Sequence, residues 1–226
     1  LAKLILTQSG SSMSDTTVVI KTIGRKTLKA AIHSAKREGF DPLVISDGVN
    51  CHAFGEKFIK LGKKWGMYGG MAANVGAAMA NTEYVTFLDD DDVFIPGAGD
   101  VIRKTINAHP VVDVWIAGVR FNRQVRLTDT SSGEETYRGT DLAIFPERGL
   151  SEGNVAMPTY KTHIFETIPF INTVPQDVAH LTDLLHVQAC AQKGYKIGWF
   201  GQALYHVRPH MAGKEGGIET VNGRGQ

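Results

Sequence analysis

The chain has 226 residues, 42% of them apolar and 21% charged, with a formal net charge of +1. That length suits one sizeable domain with core enough for a central sheet, and the charge excludes a global field drawing it to nucleic acid or an anionic membrane. No run approaches a transmembrane segment and no signal-peptide pattern opens the chain, so a cytoplasmic protein is expected.

Residues 1–16 read as a flexible lead-in, small and polar from Gln8 to Asp15. The β-branched run 17–23 (TVVIKTI), closed by Gly24, reads as a buried strand. A helix follows over 28–38, with Leu28, Ala31, Ile32 and Ala35 at helical spacing and Gly39 as its stop. Residues 42–46 (PLVIS) form a second strand, broken by Asp47-Gly48. Helices are expected over 52–61 and 71–79, and the strand 84–88 (YVTFL) runs directly into Asp89-Asp90-Asp91-Asp92. Pro96-Gly97 opens a helix to about His109, and 113–121 (DVWIAGVRF) is again strand-like. The polar, turn-rich stretch 122–148 reads as a hairpin or surface excursion. Residues 182–193 are helical, with Leu184, Leu185, Ala189 and Cys190 inward, and short strands cover 196–200 and 203–207. Cys51 and Cys190 are too few for a disulfide framework, and Cys190 reads as a buried thiol. The glycine-rich tail 211–226 is expected to be flexible.

Alternating strands and helices imply an α/β domain, a mostly parallel sheet flanked by helices, over 17–210. Ligands of such sheets bind beyond the carboxyl ends of the strands. Three strand ends there carry polar groups: Thr22 and Arg25, then Asp47, then the acidic run. Consecutive aspartates repel one another unless a cation compensates them, and hard divalent ions such as Mg²⁺ or Mn²⁺ take carboxylate oxygens together with substrate phosphates. In an extended segment Asp89 and Asp91 share a face. The alternative is an acidic turn with Asp92 capping the next helix, and Asp92 is read as structural.

The segment 69–80 (GGMAANVGAAMA) and then 83–97 (EYVTFLDDDDVFIPG) resembles the core of family 2 glycosyltransferases. That family's pattern is a glycine-rich turn, an Asn-x-Gly helix and a strand ending in L-D-x-D-D before Pro-Gly. Residues 19–25 (VIKTIGR) are similar to its V-I-P-T-Y-N-R stretch. The resemblance implies a GT-A (Rossmann-like) fold, with 17–97 as the nucleotide-sugar-binding half and 98–210 as the acceptor-side half. It implies a metal-dependent inverting transfer from a nucleotide sugar, a UDP-sugar above all, to an acceptor hydroxyl. Thr22 and Ile23 would line the base pocket and Asp47 would accept from the base. Arg25 would assist phosphate, Asn74 would belong to the donor site, and Asp89 and Asp90 would face ribose and metal. Asp91, with Asp89 and His206, would hold Mn²⁺ or Mg²⁺. The chain departs from the family in having Ala73 before Asn74 and Ile23-Gly24 in place of Tyr-Asn.

Inverting transfer needs a base on the acceptor side. The family places an Asp at the start of a helix ending in Gly-Tyr. Asp183 keeps that register with Gly194-Tyr195, with Thr182 replacing the family's Glu, and Asp177 is its competitor. His206 fits the late metal-binding histidine of many GT-A enzymes, with His210 as a second candidate. Arg208 could meet diphosphate oxygens, and the tail could close as a lid. Trp115 and Trp199 read as core residues or as sugar-stacking surfaces.

Rival readings remain. The spacing Asp89-x-Asp91-x-Val93 also matches an aspartyl-phosphate (HAD-like) phosphatase, though that motif normally ends the first strand. A sugar nucleotidyltransferase would carry a G-x-G-x-R loop that residues 22–25 lack. A non-catalytic metal- or carbohydrate-binding module would keep the cation site without a base. The acceptor, whether glycan, protein, lipid or modified nucleobase, is not legible.

Overall fold

The computed structural model describes residues 16–121, 125–128, 135–138, 158–170 and 182–207. Asp177, Arg208, His210, the lead-in before residue 16 and the tail 211–226 lie outside the described residues.

The chain opens β1 (Thr16–Thr22), α1 (Leu28–Arg37), β2 (Pro42–Ser46), β3 (Lys57–Lys60), a 3₁₀ turn (Met67–Gly69), α2 (Gly70–Met79) and β4 (Tyr84–Asp89). It continues with β5 (Val93–Phe94), α3 (Ala98–Ala108), β6 (Val114–Phe121), β7 (Val125–Thr128) and β8 (Glu135–Arg138). The later elements are β9 (Thr159–Lys161), α4 (Ile164–Thr167), α5 (Thr182–Gln192) and β10 (Ile197–Val207). Eight strands form one sheet in the order β3-β2-β1-β4-β9-β6-β10-β5, and β7 and β8 form a separate antiparallel ribbon.

Neighbours from β3 to β4 are parallel, as are β6 and β10. The short β9 is antiparallel to β4 and β6 and joins the two parallel halves. The sheet is therefore mixed but mostly parallel, as the strand–helix alternation implied.

Strand alternation divides the core between the two faces of the sheet. Val18 and Ile20 of β1 and Leu88 of β4 pack with Ile32 of α1 and Ile102 and Ile106 of α3. Val19, Val85 and Phe87 face the other way, against Ala73 and Ala77 of α2 and Leu184 and Val187 of α5. The parity continues to the strand ends. In the direct register pair Lys21↔Asp89, both side chains follow Val19 and Phe87 toward the face covered by α2 and α5. Thr22 and Asp90 follow Ile20 and Leu88 toward α1.

The helix expected over 52–61 is replaced by β3. Gly55 has φ +89° and Phe54 φ +52°, and consecutive left-handed residues stop a right-handed helix. Residues 57–60 instead pair in parallel with β2, from Leu43↔Lys57 to Ser46↔Lys60. The two strands expected at 196–200 and 203–207 are one continuous β10, whose register against β6 shifts between Trp199 and Ala203. Gly201, at φ +73°, lies in that irregular stretch. The burial of α5 also differs: Leu184 and Cys190 are buried as expected, but His186 and Val187 complete the inward face while Leu185 and Ala189 are half-exposed. His186 stacks on Phe170 at 4.2 Å and bonds the Ile168 carbonyl at 2.7 Å. Burial pulls its pKa down to about 4. Trp115 stacks on Phe200 inside the core, and Trp199 packs against the opposite cluster.

α2 lies close on β1 because Gly76 faces Val19. A Cβ there would overlap the Val19 side chain within van der Waals distance. Gly76→Ala is expected to lower stability by about 1–3 kcal/mol through overpacking. Urea unfolding at neutral pH reads this, and an unchanged midpoint would contradict the close packing.

Candidate active site

The carboxyl ends of β1, β2 and β4 lie side by side, so their loops share one crevice. The turn after β4 is closed by the Asp92 amide, which donates to the Asp89 carbonyl at 3.1 Å. This tight turn sends successive aspartates in different directions.

Asp90 is fully buried and points back under the β1–α1 loop. Its Oδ2 accepts from Thr22 Oγ1 at 2.6 Å, from the Ile23 amide at 3.0 Å and from the Arg25 amide at 3.2 Å. Its Oδ1 receives the Arg25 Nη1. Thr22 Oγ1 in turn accepts from the Gly24 amide at 2.9 Å. Asp90 thus anchors the loop that holds Thr22, Ile23 and Arg25, and its carboxylate is committed to that loop. Ile23 remains exposed at the crevice.

Asp89, Asp91 and Asp92 come together instead, with a carboxylate oxygen of each within 4.8 Å of the others. All-oxygen donors at this spacing suit a hard divalent cation. Asp91 and Asp92 are buried, and Asp89 is the open member. The grouping brings Asp92 to the cluster, where residue pattern alone had read it as structural. α3 begins at Ala98 behind Gly97, so Asp92 does not cap it.

Two cations offset these charges. Arg25 Nε lies 3.7 Å from Asp91. Lys21 Nζ lies 2.9 Å from Asp89, with its side chain only 10% exposed. Burial opposes the charge on Lys21, yet Asp89, Asp183 and Asp92 together carry its pKa above the ordinary lysine value.

Asp183 stands half-buried in the first turn of α5. Burial pushes its carboxyl pKa up, Lys21 pulls it back, and Asp89 pushes it up again. A carboxylate with a raised pKa is a better proton acceptor, as a general base requires. The described fold brings Asp183 into the electrostatic range of the cluster, with Lys21 acting on both.

The remaining predicted residues are placed as follows. Asp47, buried at the end of β2, accepts from the Trp65 and Gly66 amides at 2.7 and 2.8 Å and so pins that turn beside the strand end. Asn74 of α2 bonds both polar backbone atoms of Phe170, donating to its carbonyl at 3.1 Å and accepting from its amide at 2.7 Å. His206 pairs across β10–β5 with Val93, the residue after Asp92, but lies outside the three-carboxylate group.

Sequence reasoning passed over Lys21. Its signal was available, since a lysine in an otherwise apolar strand one residue before Thr22 must meet a counter-charge.

The described fold is that of the GT-A glycosyltransferases. A structure of TarS 1–349 from S. aureus superposes with a TM-score of 0.61 at 17% identity, covering 85% of this chain and 60% of that one. TarS 1–349 in complex with UDP-GlcNAc gives 0.60 at 17% identity, over 85% of this chain and 58% of that one. A mannosyltransferase, PcManGT from Pyrobaculum calidifontis, in complex with GDP-Man and Mn²⁺, gives 0.55 at 12% identity, over 86% and 56%. The chain thus spans about 60% of the length of the TarS structure it matches. No curated protein sequence matches significantly. The chain belongs to glycosyl transferase family 2, whose family profile matches residues 17–165. Among the described residues no helix is long and apolar enough to cross a membrane.

Two measurements test the site's electrostatics. Asp90→Ala strands the Arg25 and Ile23 amides and removes a buried charge from its partners, and is expected to cost about 3 kcal/mol in urea unfolding. A cost within a few tenths of wild type would contradict the anchoring role. Asp183 has a folded pKa above its ordinary 3.8, so its favourable contribution is present below that value and lost as pH rises through the folded pKa. Asp183→Asn should therefore raise the thermal midpoint at pH 7, as active-site substitutions can. The gain should vanish near pH 3.5, and a loss of stability at pH 7 would contradict the sign.

Proposed function

We propose that this chain transfers a sugar from a nucleotide-sugar donor, a UDP-sugar by preference, to an acceptor hydroxyl with inversion. The observation that carries the reading is a group of three carboxylates, Asp89, Asp91 and Asp92, with Asp183 in electrostatic range of Asp89 and Lys21. The solved structures of TarS with UDP-GlcNAc and of PcManGT with GDP-Man and Mn²⁺ support the donor class.

In this reading Asp91 and Asp89 hold Mn²⁺ or Mg²⁺, joined by Asp92, with His206 as a further ligand from β10. Bound there, such an ion would supply Lewis-acid charge to the leaving diphosphate. Thr22 and Ile23 border the base, and Asp47 reads it through the loop it pins as well as directly. Asn74 supports the donor site by holding the chain at Phe170 beside it. Arg25 lies beside Asp91 where diphosphate charge gathers, while Asp90 keeps that loop in shape.

Asp183 accepts the acceptor hydroxyl's proton as its oxygen attacks the anomeric carbon. The carbon–oxygen bond to the diphosphate breaks, and the nucleoside diphosphate leaves with the bonding pair. Attack on the face opposite the leaving diphosphate inverts the anomeric centre, and Lys21, paired with Asp89, also acts electrostatically on Asp183. The acceptor side belongs to residues 98–210.

Release of UDP from a panel of UDP-sugars with Mn²⁺, in the presence of candidate acceptors, tests this directly. Asp91→Asn should lose at least about a hundredfold in rate through the lost Lewis acid. Asp183→Asn should lose about 10²–10⁴-fold, the usual worth of a general base, while UDP still raises its thermal midpoint. Near-wild-type turnover in Asp183→Asn, with Asp177→Asn inactive, would move the base to Asp177. Phosphate release from phosphomonoesters instead of UDP release would favour the phosphatase reading.

A further inference from the structure

Lys21 is unusual in its setting. It is the last inward-facing residue of β1 on the α2 side, where Val19 precedes it in the apolar core. Its stem is clasped from above: a Cβ on Gly69 would come within 3.1 Å of the Lys21 Cδ, and Gly69 itself has φ +79°. Tyr68 beside it, at φ +52°, turns its carbonyl to 3.4 Å from Nζ. Two consecutive left-handed residues thus shape the entrance to α2 around this one side chain, although Tyr68 carries a side chain that disfavours that conformation. The ammonium is held, not draped, and its ion pair with Asp89 at 2.9 Å follows from the strand register itself.

The consequence is competition for a carboxylate. Of the group Asp89, Asp91 and Asp92, Asp89 is already paired with the ammonium, while the Arg25 guanidinium is shared between Asp90 and Asp91. A dication entering the group must therefore sit beside an ammonium held on one of its own ligands. A diphosphate arriving with the ion supplies negative charge that offsets that ammonium.

We propose that Lys21 is a built-in counter-ion of the acidic cluster, which makes tight divalent-cation binding depend on the nucleotide diphosphate arriving with it. This rests on the cation-site reading above and adds to it an order of assembly. The free enzyme discriminates against bare metal and takes it up as a metal–nucleotide pair. Lys21 is a positioning residue here. It sets where Asp89 points and what charge the site presents, and it forms no bond with the sugar.

The test is Mn²⁺ binding to the full chain, followed by the free-ion electron paramagnetic resonance signal, with and without saturating UDP. Wild type should bind Mn²⁺ weakly alone and at least about tenfold more tightly with UDP, the scale set by unit charges a few ångströms apart in a partly buried site. Lys21→Met should bind Mn²⁺ alone about tenfold or more tightly than wild type, with a reduced gain from UDP. Lys21→Gln should do the same while keeping an amide donor for Asp89, and it decides the matter if the methionine variant fails to fold. Lys21→Arg retains the charge and should match wild type.

Wild type binding Mn²⁺ equally well with and without UDP would overturn the inference on its own. So would neutral Lys21 variants that bind bare Mn²⁺ no better than wild type. In either case loss of binding in Asp91→Asn would leave the cation site standing. If wild type takes up no Mn²⁺ even with UDP, the cation site itself falls and the role of Lys21 with it.

Discussion

The site depends on the pairing of Lys21 with Asp89 across adjacent parallel strands. Four aspartates in succession are electrostatically unfavourable, and three of them converge within 4.8 Å. Such a cluster persists only where fixed positive charge lies beside it. β1 supplies that charge from both sides of its end: Lys21 toward α2 and α5, and Arg25 from the following loop toward Asp90 and Asp91. Strand parity starts the division, sending Asp89 after Phe87 to one face and Asp90 after Leu88 to the other. The turn that follows brings Asp91 and Asp92 to Asp89, so these three build the cluster while Asp90 ties down the loop.

This division explains how a rigid sheet presents a charged crevice without loosening. Apolar side chains on both faces hold β1 and β4 in register, and the register sets which aspartate meets which cation. The loops then take their form from buried polar anchors. Asp90 gathers the amides of Ile23 and Arg25, and Asp47 gathers those of Trp65 and Gly66. Asn74 clamps Phe170 and so ties α2 to the segment that follows α4. Several residues that the family pattern associates with the donor are thus hydrogen-bonded anchors of the loops at the strand ends.

The strands β1, β2 and β4 were legible as short apolar runs stopped by Gly24, by Asp47-Gly48 and by the acidic run, α1 by its helical spacing before Gly39, and α3 by Pro96-Gly97 at its start. β3 was not, since Lys-Phe-Ile-Lys has no alternation that separates it from a helix turn, and the left-handed Phe54 and Gly55 that exclude a helix show only in the backbone. β9 was also missed, because its strand status comes wholly from the neighbours it joins. At the site, the acidic run was visible from residue type, and Asp183 only through the resemblance that puts it in register with Gly194-Tyr195. The separate fates of Asp90 and Asp92 were not, because a turn between residues 89 and 92 breaks the simple alternation that pairs Asp89 with Asp91. Lys21 was readable in principle from parity, and the resemblance drew attention past it to Thr22.

The central claim is that the Asp89, Asp91 and Asp92 carboxylates form the cation position of a nucleotide-sugar site. Anomalous diffraction from crystals grown with UDP and Mn²⁺ tests it most directly. The account predicts one manganese peak within bonding distance, about 2.2 Å, of Asp91 and of UDP phosphate oxygens, as expected for hard oxygen ligation. UDP bound in the crevice with no manganese peak at this cluster, or a peak held only elsewhere on the molecule, would contradict it.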